Sequence, residues 1–595
     1  YLMPFDGFTI RAIANELNST LFQARIDKIH QPEKDEIILS VRQAGGGTVK
    51  LLLSANPRWS RMHISNERKL NPVTPPGFCM LLRKYLEGGK ITSVKQYGFD
   101  RIVYITIEAL DELRDWKPRL LIGEFTGRHS NIILVNPETG LIIDAIKRFN
   151  LDSGSIREIM PGKEYISPPA QNKIDLLQEE YEQFAARMWQ QNGQSASQAL
   201  FNSLAGVSPF SARCICQNAF IEPNIPVEEC GDYELHALYQ QVKTLLQDIS
   251  ITGSTSCILY RRNKMEEYLA FELYNPSAEY NLATFDSINE TCDQYYSAKM
   301  EKIRLDSMKT NLLKNINTQV EKSRKKKFYQ EGDLAKAQEN EKYKTWGELI
   351  TSYAHQINKG DRQAVLEDFY TNESVVIELD PRWTPIENAQ RYFKIYNKSR
   401  NAIKHLEYLL KQSTNEIIYL ESVIVTIEQA DSIAELDEII EELEKEGYLK
   451  ARPLKGKSRK LPKSLPRKYI STDGLEILVG RNNRQNDSLT IKGADRHDLW
   501  LHTKDIPGTH VIIRLPNYFN SINQLPDATL EEAAMLAAYY SKASEDEKVQ
   551  VDYTFRNNVR KPSGAKPGMV VYDNYWTIIV NPRSERMLQI IEKVE

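Results

Sequence analysis

The sequence predicts a multidomain α+β protein. Its parts are a mixed α/β N-terminal domain, a helix–hairpin–helix element, a long antiparallel coiled-coil arm with a small β tip, and a C-terminal α+β module. Three observations carry this. At 595 residues the chain exceeds the roughly 250–300 residues at which a single core stops growing. Its apolar pattern changes period along the chain, from mixed, to helical, to the three-four steps of a coiled coil. Its charge inverts sharply near residue 450.

Charged residues (26%) and hydrophobic residues (41%) stand at ordinary levels for a soluble protein. The net charge of −3 excludes a uniformly basic nucleic-acid coat but leaves local patches open. No run reaches the roughly 20 apolar residues of a membrane span, and "YLMPFDGFTI" lacks the basic-then-apolar pattern of a signal peptide. Cys79, Cys214, Cys216, Cys230, Cys257 and Cys292 show no Cys-x-x-Cys or zinc-finger spacing, so reduced thiols in an ample core are expected.

Residues 1–169 form the first domain. "DGFTIRAIANELNSTL" carries Ile10, Ile13, Leu17 and Leu21 at helical spacing. "DEIILSVRQAGGGTVKLLLSA" reads as a hairpin about a triple glycine able to take positive φ. Strands follow at "DRIVYITIEAL", "RLLIGEF", "SNIILVN" and "LIIDAIK". Residues 170–250 turn helical. There "LAGVSPFSARCI" places Gly206 after one helix, with Ser208 capping the next and Pro209 at its first position. The pattern fits a phosphate-binding helix–hairpin–helix or a plain helical turn. Residues 251–292 hold a strand pair, "SCILYRR" and "YLAFELY", expected to pack on the N-terminal domain.

The arm occupies 293–447. One charged helical stretch runs from Asp293 to about His355, and a second from Pro385 to Glu428. In the second, positions 403, 406, 410, 413, 417, 420, 424 and 427 are Ile or Leu except Ser413, a coiled-coil seam with one polar interruption. A helix over 386–428 spans about 65 Å at 1.5 Å per residue. Between the arms, "AVLEDFYTNESVVIELD", near 364–380, reads as a β-hairpin with Asn-Glu-Ser at its turn. An antiparallel hairpin accounts for that insert, and such an arm acts as a spacer or docking limb.

Residues 428–447 carry nine Asp/Glu and one Lys, whereas 450–468 carry nine Lys/Arg and no acid. The stretch 448–468 is therefore an extended basic linker, either a tether or a neighbour of a polyanion such as RNA. From 469 to 595 lies the last domain, with strands at "GLEILVG", "DLWLHT", "HVIIRL", "QVDYTF", "GMVVYD" and "WTIIVN" and a helix at "ATLEEAAMLAAYYSKA".

No Walker loop, GxGxxG after a strand, HExxH or GxSxG elbow occurs, so the common nucleotide-binding, metalloprotease and hydrolase motifs are absent. In "DLWLHTKDIPGTHVIIR" a strand puts Leu499 and Leu501 on one face and Trp500 and His502 on the other. Pro507-Gly508 suits a type II turn. His502 and His510 lack the cysteines or carboxylates that would complete a metal set, so no metal is expected. Trp500, His502, Lys504 and His510 are its recognition or packing residues. In the N-terminal domain, Asp100 and Arg101 stand at a strand mouth, with side chains expected on opposite faces. Glu124, Arg128, His129, Ser130 and Asn131 precede another strand. These types suit phosphate and base-edge contacts; the alternative is a surface salt-bridge network.

"FDGFTIRAIANEL", "LLLSANPRWSRMHI", "PPGFCMLLRKYLEGG", "GFDRI" and "GRHSNIIL" resemble the N-terminal domain of the NFACT family, and "GVSP" its helix–hairpin–helix. "LVGRNNRQND", "DLWLHTKDIPGTHVIIR" and "KPSGAKPGMVVYD" resemble its RNA-binding module. The resemblance covers essentially the whole chain. It implies a cytoplasmic factor on large ribosomal subunits that carry an obstructed peptidyl-tRNA. Such a factor recruits alanyl-tRNA without mRNA, and the alanine tail added to the stalled chain marks it for degradation. Peptidyl transfer would belong to the ribosome, so no enzymatic activity, cofactor or membrane is implied. The family's Asp-Arg pair falls on Asp100 and Arg101 and its early aspartate on Asp6, with Glu124 to Asn131 in the same domain. In the module, Arg481, Arg484, Lys561 and Lys566 join Trp500, His502, Lys504 and His510 as implied RNA contacts. The N-terminal fold is expected to be glycosylase-like, but Pro4 follows Met3, so a terminal-proline nucleophile is not expected. A fibronectin-binding surface adhesin is the rival reading, and no export signal in the sequence supports it.

Overall fold

The computed structural model describes residues 5–150, 157–169, 172–175, 177, 179–251, 255–450, 464–516, 519 and 522–592. Most of the basic linker, 451–463, lies outside them. The chain divides into two compact units, Tyr1–Met300 and Glu301–Glu595.

The first unit is built on a nine-stranded antiparallel sheet. Its strands are β1 (Arg25–Glu33), β2 (Glu36–Arg42), β3 (Thr48–Ser54), β4 (Arg61–Ile64) and β5 (Lys90–Gln96). They continue as β6 (Ile102–Leu110), β7 (Trp116–Glu124), β8 (Asn131–Val135) and β9 (Ile142–Ala145). The order is β4-β3-β2-β1-β5-β6-β7-β8-β9. Gly46 and Gly47 take φ of +92° and +90° in the β2–β3 connection, the conformation that the triple glycine permits. The first helix, Gly7–Leu21, buries Ile10, Ile13 and Leu17 in a core shared with Leu39, Leu51 and Ile105. That core continues into the helices Ala196–Ser203 and Pro209–Asn218 and into a small sheet. The small sheet has three strands rather than two: β10 (Ser256–Arg261), β11 (Lys264–Leu269) and β12 (Tyr280–Phe285). Asp100 and Arg101 precede β6 in a turn, so the strand rule for opposite faces does not govern them.

In the second unit two long helices pair. The outgoing helix is Ile288–Glu339, which begins in the first unit, and the return helix is Pro385–Gln429. Partner numbers fall as helix numbers rise: Lys309 bonds Glu428, Arg324 bonds Glu421, Gln330 bonds Ser413 and Asn340 bonds Ser399. The helices are therefore antiparallel. Thr384 caps the return helix in a capping box with Glu387, and Pro385 occupies its first turn, both strong helix-start devices. Leu312, Ile316 and Val320 pack against Leu420, Val423 and Ile427.

Ser413 is wholly buried in this seam, and its hydroxyl donates to Gln330 Oε1 at 2.9 Å. One polar pair among apolar layers fixes register at some cost in stability. Gln330→Ala strands the hydroxyl and is expected to destabilise the second unit by about 1–3 kcal/mol. The double change Ser413→Leu, Gln330→Leu should be near neutral, and paired thermal melts compare them. Equal losses in both variants would contradict the lock.

The helix Lys342–Ser352 and a hairpin of β13 (Gln363–Asp368) and β14 (Glu373–Glu378) close the arm's tip over Leu349, Ile350, Leu366 and Ile377. The hairpin turn is residues 369–372, not Asn-Glu-Ser. Asn372 takes φ +57°, which an asparagine tolerates, and Glu373 and Ser374 already pair in the ladder.

The final domain starts with β15 (Arg467–Ile470), followed by β16 (Glu476–Val479), β17 (Leu499–Thr503), β18 (Val511–Ile513) and β19 (Val549–Phe555). The pair β20 (Val559–Arg560) and β21 (Val571–Tyr572) stands apart, and β22 (Trp576–Val580) completes a six-stranded sheet β15-β16-β18-β17-β19-β22. The helix Asp527–Tyr539 covers one face over Leu499, Leu501, Val511 and Ile513. The turn between β17 and β18 is not type II at Gly508, because the positive φ falls on Asp505 (+53°). Gly508 instead sits against Thr503 and Ser541, where a Cβ would lie 2.7 and 3.0 Å from their side chains.

Candidate nucleic-acid interface

In the first unit, Asp6, Asp100 and Arg101 come together where three backbone segments meet. Asp6 caps the first helix, accepting from Thr9 N at 3.1 Å. The same carboxylate accepts from Ser211 Oγ at 2.5 Å and Ser208 N at 3.4 Å, at the start of the helix Pro209–Asn218. Next to it Gly7 N donates to Gly206 O at 2.5 Å, a backbone approach that only paired glycines allow. Gly206 takes φ +71°. The hairpin turn of the helical element is thus spent on the first helix, which favours the packing alternative over an open phosphate loop. Burial raises the Asp6 carboxyl above its ordinary value, against the hydrogen bonds from Ser211, Thr9 and Ser208.

The turn carrying Asp100 and Arg101 is fixed from several sides. Gln96 Nε2 donates to both Gly7 O (3.0 Å) and Asp100 O (2.8 Å). Phe99 N donates to Asp175 Oδ2 at 3.1 Å, and Arg101 N to Asp100 Oδ1 at 2.7 Å. Burial pulls the Arg101 guanidinium below its ordinary value, while Asp100 and Asp6 pull it back. An arginine keeps its charge under such a shift. Lys173 feels the Arg101 charge, and Arg11 feels Asp175, so three cations and three carboxylates share this corner. Sequence reading missed Arg11, Gln96, Lys173, Asp175 and the Gly7–Gly206 contact. Nothing local marks residues that meet only after folding.

The second cluster reaches the same end of the sheet but faces differently. Register places Ile102 opposite Glu124 and Glu124 opposite Asn131. Glu124 is wholly buried and bonds Arg157 and Tyr165 Oη, the latter at 2.9 Å. Ser130 and Asn131 are buried too, and Asn131 Oδ1 and Nδ2 bind the Lys147 backbone at 3.1 and 2.9 Å. Arg128 and His129 alone of this set are exposed. All three are thus buried, and the side chains of Glu124 and Asn131 tie strand ends to neighbouring segments.

In the final domain Trp500 is wholly buried with Leu489, Ile512 and Val559. Its ring lies 4.8 Å from Tyr572, 5.3 Å from His510 and 5.8 Å from His502, centroid to centroid. His510 is buried and shares a 2.8 Å hydrogen bond with Thr490 Oγ1. Burial pushes its imidazole down to about 3, with His502 acting in the same direction. Trp500 and His510 are therefore packing residues. His502 and Lys504 are part-exposed, and Lys504 lies 5.7 Å from the Tyr575 ring centroid.

The four other implied cations are ion-paired. Arg481 meets Glu435, Arg484 bonds Glu441 O, Lys561 meets Asp487, and Lys566 meets Glu446. Asn482 and Asn483 add bonds to Glu438 and Glu442. Most of these acids belong to one helix, Ile433–Lys445. The acidic stretch therefore docks on the module's basic edge. Among the described residues Asp495, His497 and Asp498 form the one group close enough for a metal. His497 Nε2 is on Leu515 O at 3.0 Å, and Arg514 sits 2.5 Å from Asp498, so these groups are already engaged.

Residues 6–462 match the NFACT N-terminal and middle domains, and residues 466–574 match the NFACT protein RNA binding domain. The chain is 37% identical to Rqc2 homolog RqcH of Bacillus subtilis, over 99% of this chain and 100% of that protein. It is 36% identical to RqcH of Streptococcus suis, over 98% and 99%. Among solved structures, the C-terminal part of the fibronectin/fibrinogen-binding protein from Streptococcus suis is 37% identical. That match covers 48% of this chain and 98% of that one, with a TM-score of 0.37. The chain belongs to the NFACT family, together with these bacterial Rqc2 homologues.

Proposed function

We propose that the protein is a ribosome-associated quality-control factor that binds RNA through more than one of its domains. It acts on large subunits carrying an obstructed peptidyl-tRNA and brings in alanyl-tRNA, so that alanines extend the stalled chain. The ribosome forms the peptide bonds, and the protein supplies position. Near-complete similarity to the Rqc2 homologues supports the class of function. The observation that carries the site is the turn at Asp100–Arg101, whose backbone is held by Gln96, Asp175 and the Gly7–Gly206 contact.

An arginine carried on a turn held this way is of the residue type that recognises a phosphate or a base edge. Asp6 is a positioning residue, since its oxygens are spent on two helix starts. Asp100→Ala with Arg101→Ala is expected to abolish alanine tails while leaving large-subunit co-sedimentation intact. Arg101→Lys should fall between, because it keeps charge and loses the fork. Normal tails on stalled chains from the double variant would overturn the assignment.

A further inference from the structure

The helix Ile433–Lys445 has two faces with different partners. Leu436, Ile439, Ile440 and Leu443 pack with Tyr419, Leu420, Val423 and Ile427 of the return helix. That apolar face holds it on the arm whatever its other face meets. On the other face Glu435, Glu438, Glu442 and Glu446 recur at steps of three, four and four. They form one stripe, with Glu441 beside it. Like charges at this spacing repel along a helix, so the stripe is favourable only against cations or hydrogen-bond donors.

The final domain supplies both. Arg481 pairs with Glu435, Arg484 with Glu441 and Lys566 with Glu446. Asn482 Nδ2 and Asn483 Nδ2 donate to Glu438 and Glu442 at 2.7 and 3.4 Å, and Ser464 N donates to Glu438 at 2.6 Å. In all of these contacts the final domain donates and the helix accepts. Guanidinium, ammonium, amide and backbone N–H donors in a row are also what receives the phosphates of a nucleic-acid strand. Residues one helical turn apart stand about 5–6 Å from one another at Cβ, comparable with the spacing of successive phosphates. The side chains of Arg481, Arg484 and Lys566 keep exposures of 24%, 31% and 32%, so the pairs stay within reach of a competing polyanion.

We propose that the acidic stripe is an internal competitor, an autoinhibitory contact that holds these cations until RNA phosphates displace it. The proposal rests on the reading of the final domain as RNA-binding, which its match to the NFACT protein RNA binding domain supports.

The test uses the full chain and a fluorescent 20-base-pair RNA hairpin, with anisotropy read at several salt concentrations. Glu435→Gln, Glu441→Gln, Glu446→Gln discharges the stripe and keeps helix propensity. A control carries Glu367→Gln, Glu373→Gln, Glu378→Gln, three exposed acids of the tip hairpin, and so gains the same charge elsewhere. The stripe variant is expected to bind at least about tenfold more tightly, with the slope of log K against log salt steeper by about 2–3, near 0.9 per freed cation. The control should stay within about twofold of the parent, the effect of net charge alone. Adding Arg481→Gln, Arg484→Gln, Lys566→Gln to the stripe variant should cancel the gain. If a thermal melt shows that the triple change unfolds the domain, Glu441→Gln alone, at a side chain 65% exposed, should still tighten binding. Its gain is one cation's share, about two- to threefold. Parental affinity in a folded stripe variant or in Glu441→Gln, or an equal gain in the control, would overturn the competitor. RNA binding by none of the proteins would instead overturn the reading on which it rests.

Discussion

Gly206→Ala is expected to cost the first unit about 2–5 kcal/mol of stability, from left-handed backbone strain and overpacking together. The residue takes φ +71°. A Cβ there would press into the Phe99 carbonyl oxygen and lie 3.2 Å from Gly7 Cα. Both neighbours are backbone, so neither can swing aside. Separation of Gly7 from Gly206 would also move Asp6 away from Ser208 and Ser211 and release the turn that presents Arg101. Gly46→Ala is the control: it has φ +92° with nothing within 4 Å, so it carries the backbone strain without the clash. A differential melt in which both variants lose the same stability would show that the close approach does not matter.

Trp500→Ala is expected to destabilise the final domain by about 3–5 kcal/mol. The side chain is wholly buried, and its Nε1 has no hydrogen-bond partner among the described residues, so its value is packing against Tyr572, His510 and Ile512. Trp500→Phe keeps a ring and removes the unpaired donor, and should lose far less. RNA affinity of the phenylalanine variant should equal the parent's. A folded Trp500→Phe protein with RNA affinity reduced tenfold would show that the indole is a recognition group after all.

Much of the architecture was legible because it is periodic. The three-four steps from Ile403 to Ile427 marked the return helix, and alternation marked the two faces of β17. Single-residue features set by distant partners were not legible. Ser413 was visible as an interruption of the seam, but Gln330 stands 83 positions away, and only the hairpin register pairs them. Asp6 was singled out by resemblance, while the 202-position span to Ser208 concealed why an aspartate is needed there. Glu124 and Asn131 read as surface groups because they are polar and precede or end strands; register alone turns them inward. The charge inversion near residue 450 read as two independent blocks. In the fold, the acidic stretch Glu435 to Glu446 instead pairs with Arg481, Arg484 and Lys566 of the following domain.

Purifying the protein from its native cells and sequencing the RNA that comes with it tests the proposed function on large ribosomal subunits. The expected result is large-subunit ribosomal RNA together with one strongly enriched tRNA, that of alanine, and loss of the tRNA alone in the Asp100→Ala, Arg101→Ala protein. Recovery of no ribosomal RNA, or of tRNAs in their cellular proportions, would contradict it.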